Sequence, residues 1–216
     1  MADSGATGRP ALRDLHRVSA VLIGVFAAVH VTNHLVSVSG VASHIAFMDA
    51  ARTVYRQLPV ESLLLFCVAF QIASGLTLVM RGWNQRAGAV ARLQVISGGY
   101  LAFFLLLHVA AVLLGRSVLG LDTNFYFAAA GFHVPPFQLF FAPYYFLAVV
   151  ALFTHLGCAA YRRVDPRRGV LRLLTLAAPV GAGAAISLVI GLSLAGYLER
   201  VDIPAKYKAT YGRTAG

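Results

Sequence analysis

Five runs of apolar residues, each near the roughly 20 that carry a helix across a hydrocarbon core, leave this 216-residue chain little choice of fold. The runs are Val18 to Ser39, Glu61 to Met80, Leu93 to Gly115, Leu139 to Tyr161 and Leu173 to Tyr197. Lipid offers an open backbone no hydrogen-bond partner, so each run is expected to be a membrane-spanning helix. Pro143 and Pro179 fall within the fourth and fifth, where a packed membrane helix accommodates proline with a kink. Hydrophobic residues make up 59% of the chain and charged ones 12%, against roughly 45–50% apolar in soluble domains. A water-soluble enzyme is thereby excluded. So are disorder and a disulfide scaffold, since both cysteines, Cys67 and Cys158, sit inside apolar runs. The expected fold is all-α, a single transmembrane domain over residues 1–216 built as a five-helix bundle.

The net charge of +10 would suggest nucleic acid on a soluble protein, but the basic residues lie almost entirely between the apolar runs. That distribution fits loops meeting anionic lipid and excludes a nucleic-acid partner. With the N-terminus inside, the inner segments hold Arg9, Arg13, Arg17, Arg81, Arg86, Arg92, Arg162, Arg163, Arg167, Arg168 and Arg172. The outer segments hold only Arg52, Arg56, Arg116, Arg200, Lys206, Lys208 and Arg213. The positive-inside bias therefore places the N-terminus inside and the C-terminus outside. The first run is longer than the roughly 7–15 residues of a signal core and is interrupted by histidines, so it reads as a span.

Between the first two spans, residues 41–58 carry Ile45, Met48, Ala51, Arg52 and Tyr55 at helical spacing and are expected to form an interfacial amphipathic helix. The connection from Ser117 to Gln138 is rich in aromatics and reads as an aromatic belt at the outer interface, with a lid over a small-molecule site as the alternative. The polar tail after Leu198 offers no functional reading.

Four histidines, His30, His34, His108 and His155, lie within spans, where an ionisable side chain is costly and marks a functional candidate. Taken singly, each is equally well a neutral side chain bonded to a neighbouring helix. Depth changes this. At about 1.5 Å per residue, His30 lies roughly 20 Å beyond Arg17 and His108 roughly 24 Å beyond Arg92, so the two are nearly level. His155 lies only roughly 11 Å from Arg162, in a second, inner layer. A repeat supports the pairing: Leu15, Ser19 and His30 recur as Leu93, Ser97 and His108 at an offset of 78, and Pro59 and Gln71 recur as Pro143 and His155 at an offset of 84. Spans one and two thus correspond to spans three and four, giving a four-helix core made of two helix pairs. Ser19 and Ser97 join the candidate cofactor-lining residues through this correspondence.

Two imidazoles offered at one depth by parallel helices can hold haem iron axially, with the porphyrin between the helices. Small residues flank them: Gly24 and Ala27, Gly98, Gly99 and Ala102, Ser74 and Gly75. Zinc suits the pattern poorly, because it wants four ligands close together. In the inner layer Gln71 stands where the repeat would place a second histidine opposite His155, so one haem b is predicted, in the outer layer. His34, one turn beyond His30, remains an alternative ligand or a partner for a haem propionate or a quinone carbonyl.

These residues and segments, Leu15-His16 with His30, Phe47-Met48-Asp49, Leu93-Gln94 with Ser97-Gly98 and His108, and Thr154-His155, resemble the five-span, single-subunit cytochrome b that anchors succinate dehydrogenases and fumarate reductases. The resemblance runs from about Leu15 to Arg163 and rests on order, spacing and span count together. It implies a bacterial inner-membrane subunit carrying electrons between a flavoprotein and iron-sulfur pair and a membrane quinone, with no catalytic residue of its own. It further implies an outer haem on His30 and His108 and an inner haem on Gln71 and His155, of which Gln71 departs from the pattern. His16 and Arg17 fall where that family docks its iron-sulfur subunit and in some members binds quinone, and with Arg81, Arg86 and Arg92 they offer donors to propionates or an acidic partner. A stand-alone haem- or quinone-binding membrane protein and a haem-free anchor of the same fold are the alternatives. His44 and His133 lie in outer segments and are assigned no function.

Overall fold

The computed structural model describes residues 8–82 and 87–212, with the backbone alone at 8–10. Of the charges that set the expected orientation, Arg86 and Arg213 lie outside the described residues, as does the side chain of Arg9. The described residues are helical with no strand. Five helices are long and apolar enough to cross a membrane: α1 (Gly8–Val36, extended by a 3₁₀ turn over Ser37–Ser39), α3 (Leu58–Arg81), α4 (Ala89–Ser117), α6 (Gln138–Tyr161) and α7 (Gly169–Leu194). Three shorter helices, α2 (Val41–Tyr55), α5 (Phe125–His133) and α8 (Ala205–Lys208), gather at one end. We call this the capped end, and the opposite one, with Arg81, Arg92 and Arg162, the arginine-rich end.

The helix boundaries follow local chemistry. Gly40, at a φ of 110°, breaks the chain after the first span. The Glu199 carboxylate then accepts from the Val41 N–H at 2.8 Å, placing an anion on the N-terminus of α2, where free N–H groups favour negative charge. Pro59 enters the first turn of α3, where its missing N–H costs nothing. Asn124 caps α5 by accepting from the Tyr126 N–H at 3.0 Å. The first helix starts ten residues before its apolar run, so Arg13 and Arg17 ride on helix, and the last span ends at Leu194 rather than Tyr197.

Helix α1 packs along α3, α4 along α6, and α7 along α6. Two similar hydrogen-bond sets join these helices at the positions that the sequence offsets pair. Gln71 Nε2 donates to the His16 carbonyl and, at 2.7 Å, to Ser19 Oγ. At the corresponding places His155 Nδ1 lies 3.2 Å from the Gln94 carbonyl and 3.4 Å from Ser97 Oγ. Much of the bundle's outer surface is apolar and open, with Val21, Phe66, Ile96 and Leu139 all more than half exposed, as lipid-facing residues are.

The buried core lies toward the capped end, where Phe125, Ala129 and Ala130 of α5 meet Ile190 and Leu194 of α7 and Val201, Ile203 and Tyr207 of the C-terminal segment. The segment from Ser117 to Gln138 is therefore no simple belt: α5 is buried on one face because a packed layer covers it. The tail has a role too, since Tyr207 Oη donates to the Asp122 carbonyl at 3.0 Å and fixes the loop leading into α5. His133 Nε2 donates to the Leu194 carbonyl at 2.9 Å and so ties α5 to the end of α7. Gly131 is required here, because a Cβ would stand 2.3 Å from the Phe141 ring.

Candidate functional site

Beneath the cap is a cavity of about 300 Å³ lined from α1, α2, α4, the loop before α5, α5 itself and α6. His30 of α1 and His108 of α4 meet across it, with ring centroids 5.9 Å apart and ring planes at 63°. Each ring lies against a phenylalanine of its own helix, Phe26 for His30 and Phe104 for His108. Neither imidazole has a hydrogen-bond partner among the described residues, and both are partly buried. Both line the cavity, so the ring nitrogens have unused bonding capacity there.

His30 and His108 are the residues that would hold a metal at this site. No group of three or more His, Cys, Asp or Glu arranged for a metal ion occurs among the described residues. A two-imidazole site suits a metal that brings its remaining ligands with it, as iron in a porphyrin does.

His34 sits one turn nearer the cap, edge-on to His30 at 4.8 Å and 5.2 Å from His44 of α2. It is His30 that stands directly against His108. His44, which the sequence leaves without a function, is folded into the site, because α2 lies back over α1 and brings residue 44 to Asn33 with 3.1 Å between Nε2 and Nδ2. Asn33 Oδ1, His34 Nδ1 and His44 Nδ1 are all buried without a partner, in the wall of this one cavity. Burial, together with nearby His30 and Arg52, pushes the His44 pKa down to about 4, so its ring is neutral at ordinary pH.

The roof is held by charge. Arg52 pairs with Asp122 at 2.8 Å and with Asp49 at 3.2 Å. Burial opposes the Arg52 charge, but Asp122 and Tyr55 together outweigh it and leave its pKa raised. Arg116 pairs with Glu61. Arg56, between them, makes no ion pair among the described residues and donates from Nη2 to Thr123 Oγ1 at 3.2 Å.

The other sequence candidates lie toward the arginine-rich end, outside this cavity. Gln71, Ser19, Ser97 and His155 are engaged in the two matching hydrogen-bond sets already described. His16 Nδ1 lies 2.7 Å from Ser74 Oγ, and Ser74 itself donates to the Phe70 carbonyl, so His16 is the donor. Arg17 forms an exposed ion pair with Asp14 at 3.1 Å and joins none of these groups. Of the additional lining groups, Tyr55 entered the sequence reading only as part of the amphipathic segment, and Thr123, Asn124 and Tyr145 were not singled out by the sequence. For Thr123 and Asn124 the one signal was a connection unusually long and aromatic for a plain turn. Comparison with family models, with curated proteins and with solved structures finds no match for this chain.

Proposed function

We propose that the chain is a haem b-binding membrane subunit, with His30 and His108 as the axial ligands, that carries electrons between an iron-sulfur partner and a membrane quinone. The observation that carries this reading is the pair of partly buried imidazoles, without hydrogen-bond partners among the described residues, 5.9 Å apart across the cavity. The bound group would supply one-electron chemistry at its iron. The chain's residues orient it and exclude water: Phe26 and Phe104 fix the ring planes of the two ligands, and the cap of α2, α5 and the C-terminal segment closes the cavity from above. Arginines at the opposite end, among them Arg81, Arg92, Arg162 and Arg163, suit an acidic partner subunit or anionic lipid.

A stand-alone haem protein is the second reading. What favours it is the layer around Gln71 and His155, where the chain's own hydrogen bonds occupy the groups that a second cofactor on the way to the arginine-rich end would need.

Absorption spectra of the purified full chain test the reading. Low-spin b-type bands at one haem per chain are expected, and His108→Ala should abolish them. Fresh membranes without such bands would refute haem binding. Co-purification of flavin and iron-sulfur subunits separates the anchor from the stand-alone protein.

A further inference from the structure

The cavity is polar on one side and aromatic on the other. Phe140, Phe141, Tyr144 and Tyr145, all from α6, form one wall. The roof and the opposite wall carry His44, Asn33, Tyr55, Thr123 and Asn124. An amphipathic planar ligand has one orientation that matches this division, with its polar edge turned to the cap.

Charge sharpens the match. Three arginines crowd the roof, and two of them, Arg52 and Arg116, are held by carboxylates. Arg56 is not, and its guanidinium is bonded to Thr123, a cavity-lining residue. Arg56 feels Asp122 at a distance but makes no ion pair among the described residues, and beside two other arginines it is a place where an incoming anion is stabilised by a charge-assisted hydrogen bond. The pair His44 and Asn33 adds an unused donor. If the Asn33 amide donates to His44 Nε2, the proton of the neutral ring sits on Nδ1, which has no partner. If the amide is turned the other way, its own N–H group is the one left over.

We propose that Arg56, with Thr123, and the buried His44–Asn33 pair form a carboxylate site that takes the acidic side chains of the macrocycle, so that these face the capped end and not the arginine-rich end. This rests on the reading of His30 and His108 as haem ligands and adds the orientation of the group between them. It also makes the roof selective, since a macrocycle without free carboxylates would leave Arg56 unpaired.

The test reconstitutes the full chain in detergent with protohaem and, separately, with protohaem dimethyl ester, whose carboxylates are masked. The wild type is expected to bind the free acid at least tenfold more tightly, Arg56→Gln to bind both alike with the b-type bands intact, and Arg56→Lys to recover part of the preference. Arg92→Gln, at the other end, should keep the full preference. Equal binding of the two haems by the wild type would overturn the proposal, as would a preference that survives in Arg56→Gln or is lost in Arg92→Gln. A wild type that binds neither haem defeats the ligand assignment itself, and this proposal falls with it, whereas bis-imidazole bands without discrimination defeat the carboxylate site alone.

Discussion

His30 and His108 occupy corresponding places in the two helix pairs, and Gln71 and His155 do so one layer away, yet the two layers are finished differently. In the first, the side chains face each other across open space and bond to nothing among the described residues. In the second, Gln71 and His155 are turned onto the backbone carbonyls of His16 and Gln94 and onto the hydroxyls of Ser19 and Ser97. A repeated scaffold can therefore keep one site open and close its counterpart with its own hydrogen bonds. The open layer also lies under a cap, whereas the closed one lies toward the arginine-rich end.

The sharpest way to break this contrast is to remove one imidazole of the open layer. His30→Ala should eliminate low-spin haem absorption altogether, while His34→Ala should retain it, because His30 is the ring that meets His108; loss in His34→Ala and retention in His30→Ala would exchange their roles.

Filling the gap in the closed layer should produce the next largest change. Gln71 stands where the matching helix pair has His155, so Gln71→His supplies the missing second imidazole and is expected to raise haem content from one to two per chain in pyridine haemochrome assays. A content that stays at one would mean that packing, rather than the missing ligand, closes that layer.

The cap gives a pH test. The His44 pKa is depressed to about 4 in the folded protein and returns to the ordinary value of 6.5 on unfolding. The unfolded chain then binds the extra proton between these values, so stability is full above pH 6.5 and falls as the pH drops toward 4. With one unit worth about 1.4 kcal/mol, the loss is on the order of 2–3 kcal/mol. Thermal unfolding in detergent at pH 7 and pH 5 should show the drop, and His44→Gln should flatten it.

The smallest effect is expected from His155→Ala. It removes a partly exposed ring and one hydrogen bond to a carbonyl, worth about 1 kcal/mol, and should lower the melting temperature slightly without altering the absorption bands. A change in the bands would show that the closed layer supports a cofactor after all.

How much of this was legible in the sequence depends on the range of the interactions involved. The five spans and the level placing of His30 and His108 follow from apolar run length and helical rise, which are local. The repeat also survives inspection by eye, because the matched residues keep constant offsets and form matched bonds. His44 was set aside for the opposite reason: nothing local says that α2 folds back and lays residue 44 against Asn33. The tail was unreadable for the same cause, since Val201, Ile203 and Tyr207 alternate with polar residues and proline in a run too short to point to a partner, and become core only when α5 and α7 meet them.

By itself, then, the sequence determined that five helices are long and apolar enough to cross a membrane and where each histidine falls along its helix, because the fitness of a helix for lipid depends on its own length and composition. Only the tertiary structure decided which way each helix is rotated, which imidazole faces which, and that a cap closes the cavity. Those outcomes rest on contacts between residues more than 150 positions apart, such as Glu199 with Val41 and Ser193 with Ser37. No local pattern encodes a partner at that distance, so the site's shape exists only once the chain has folded.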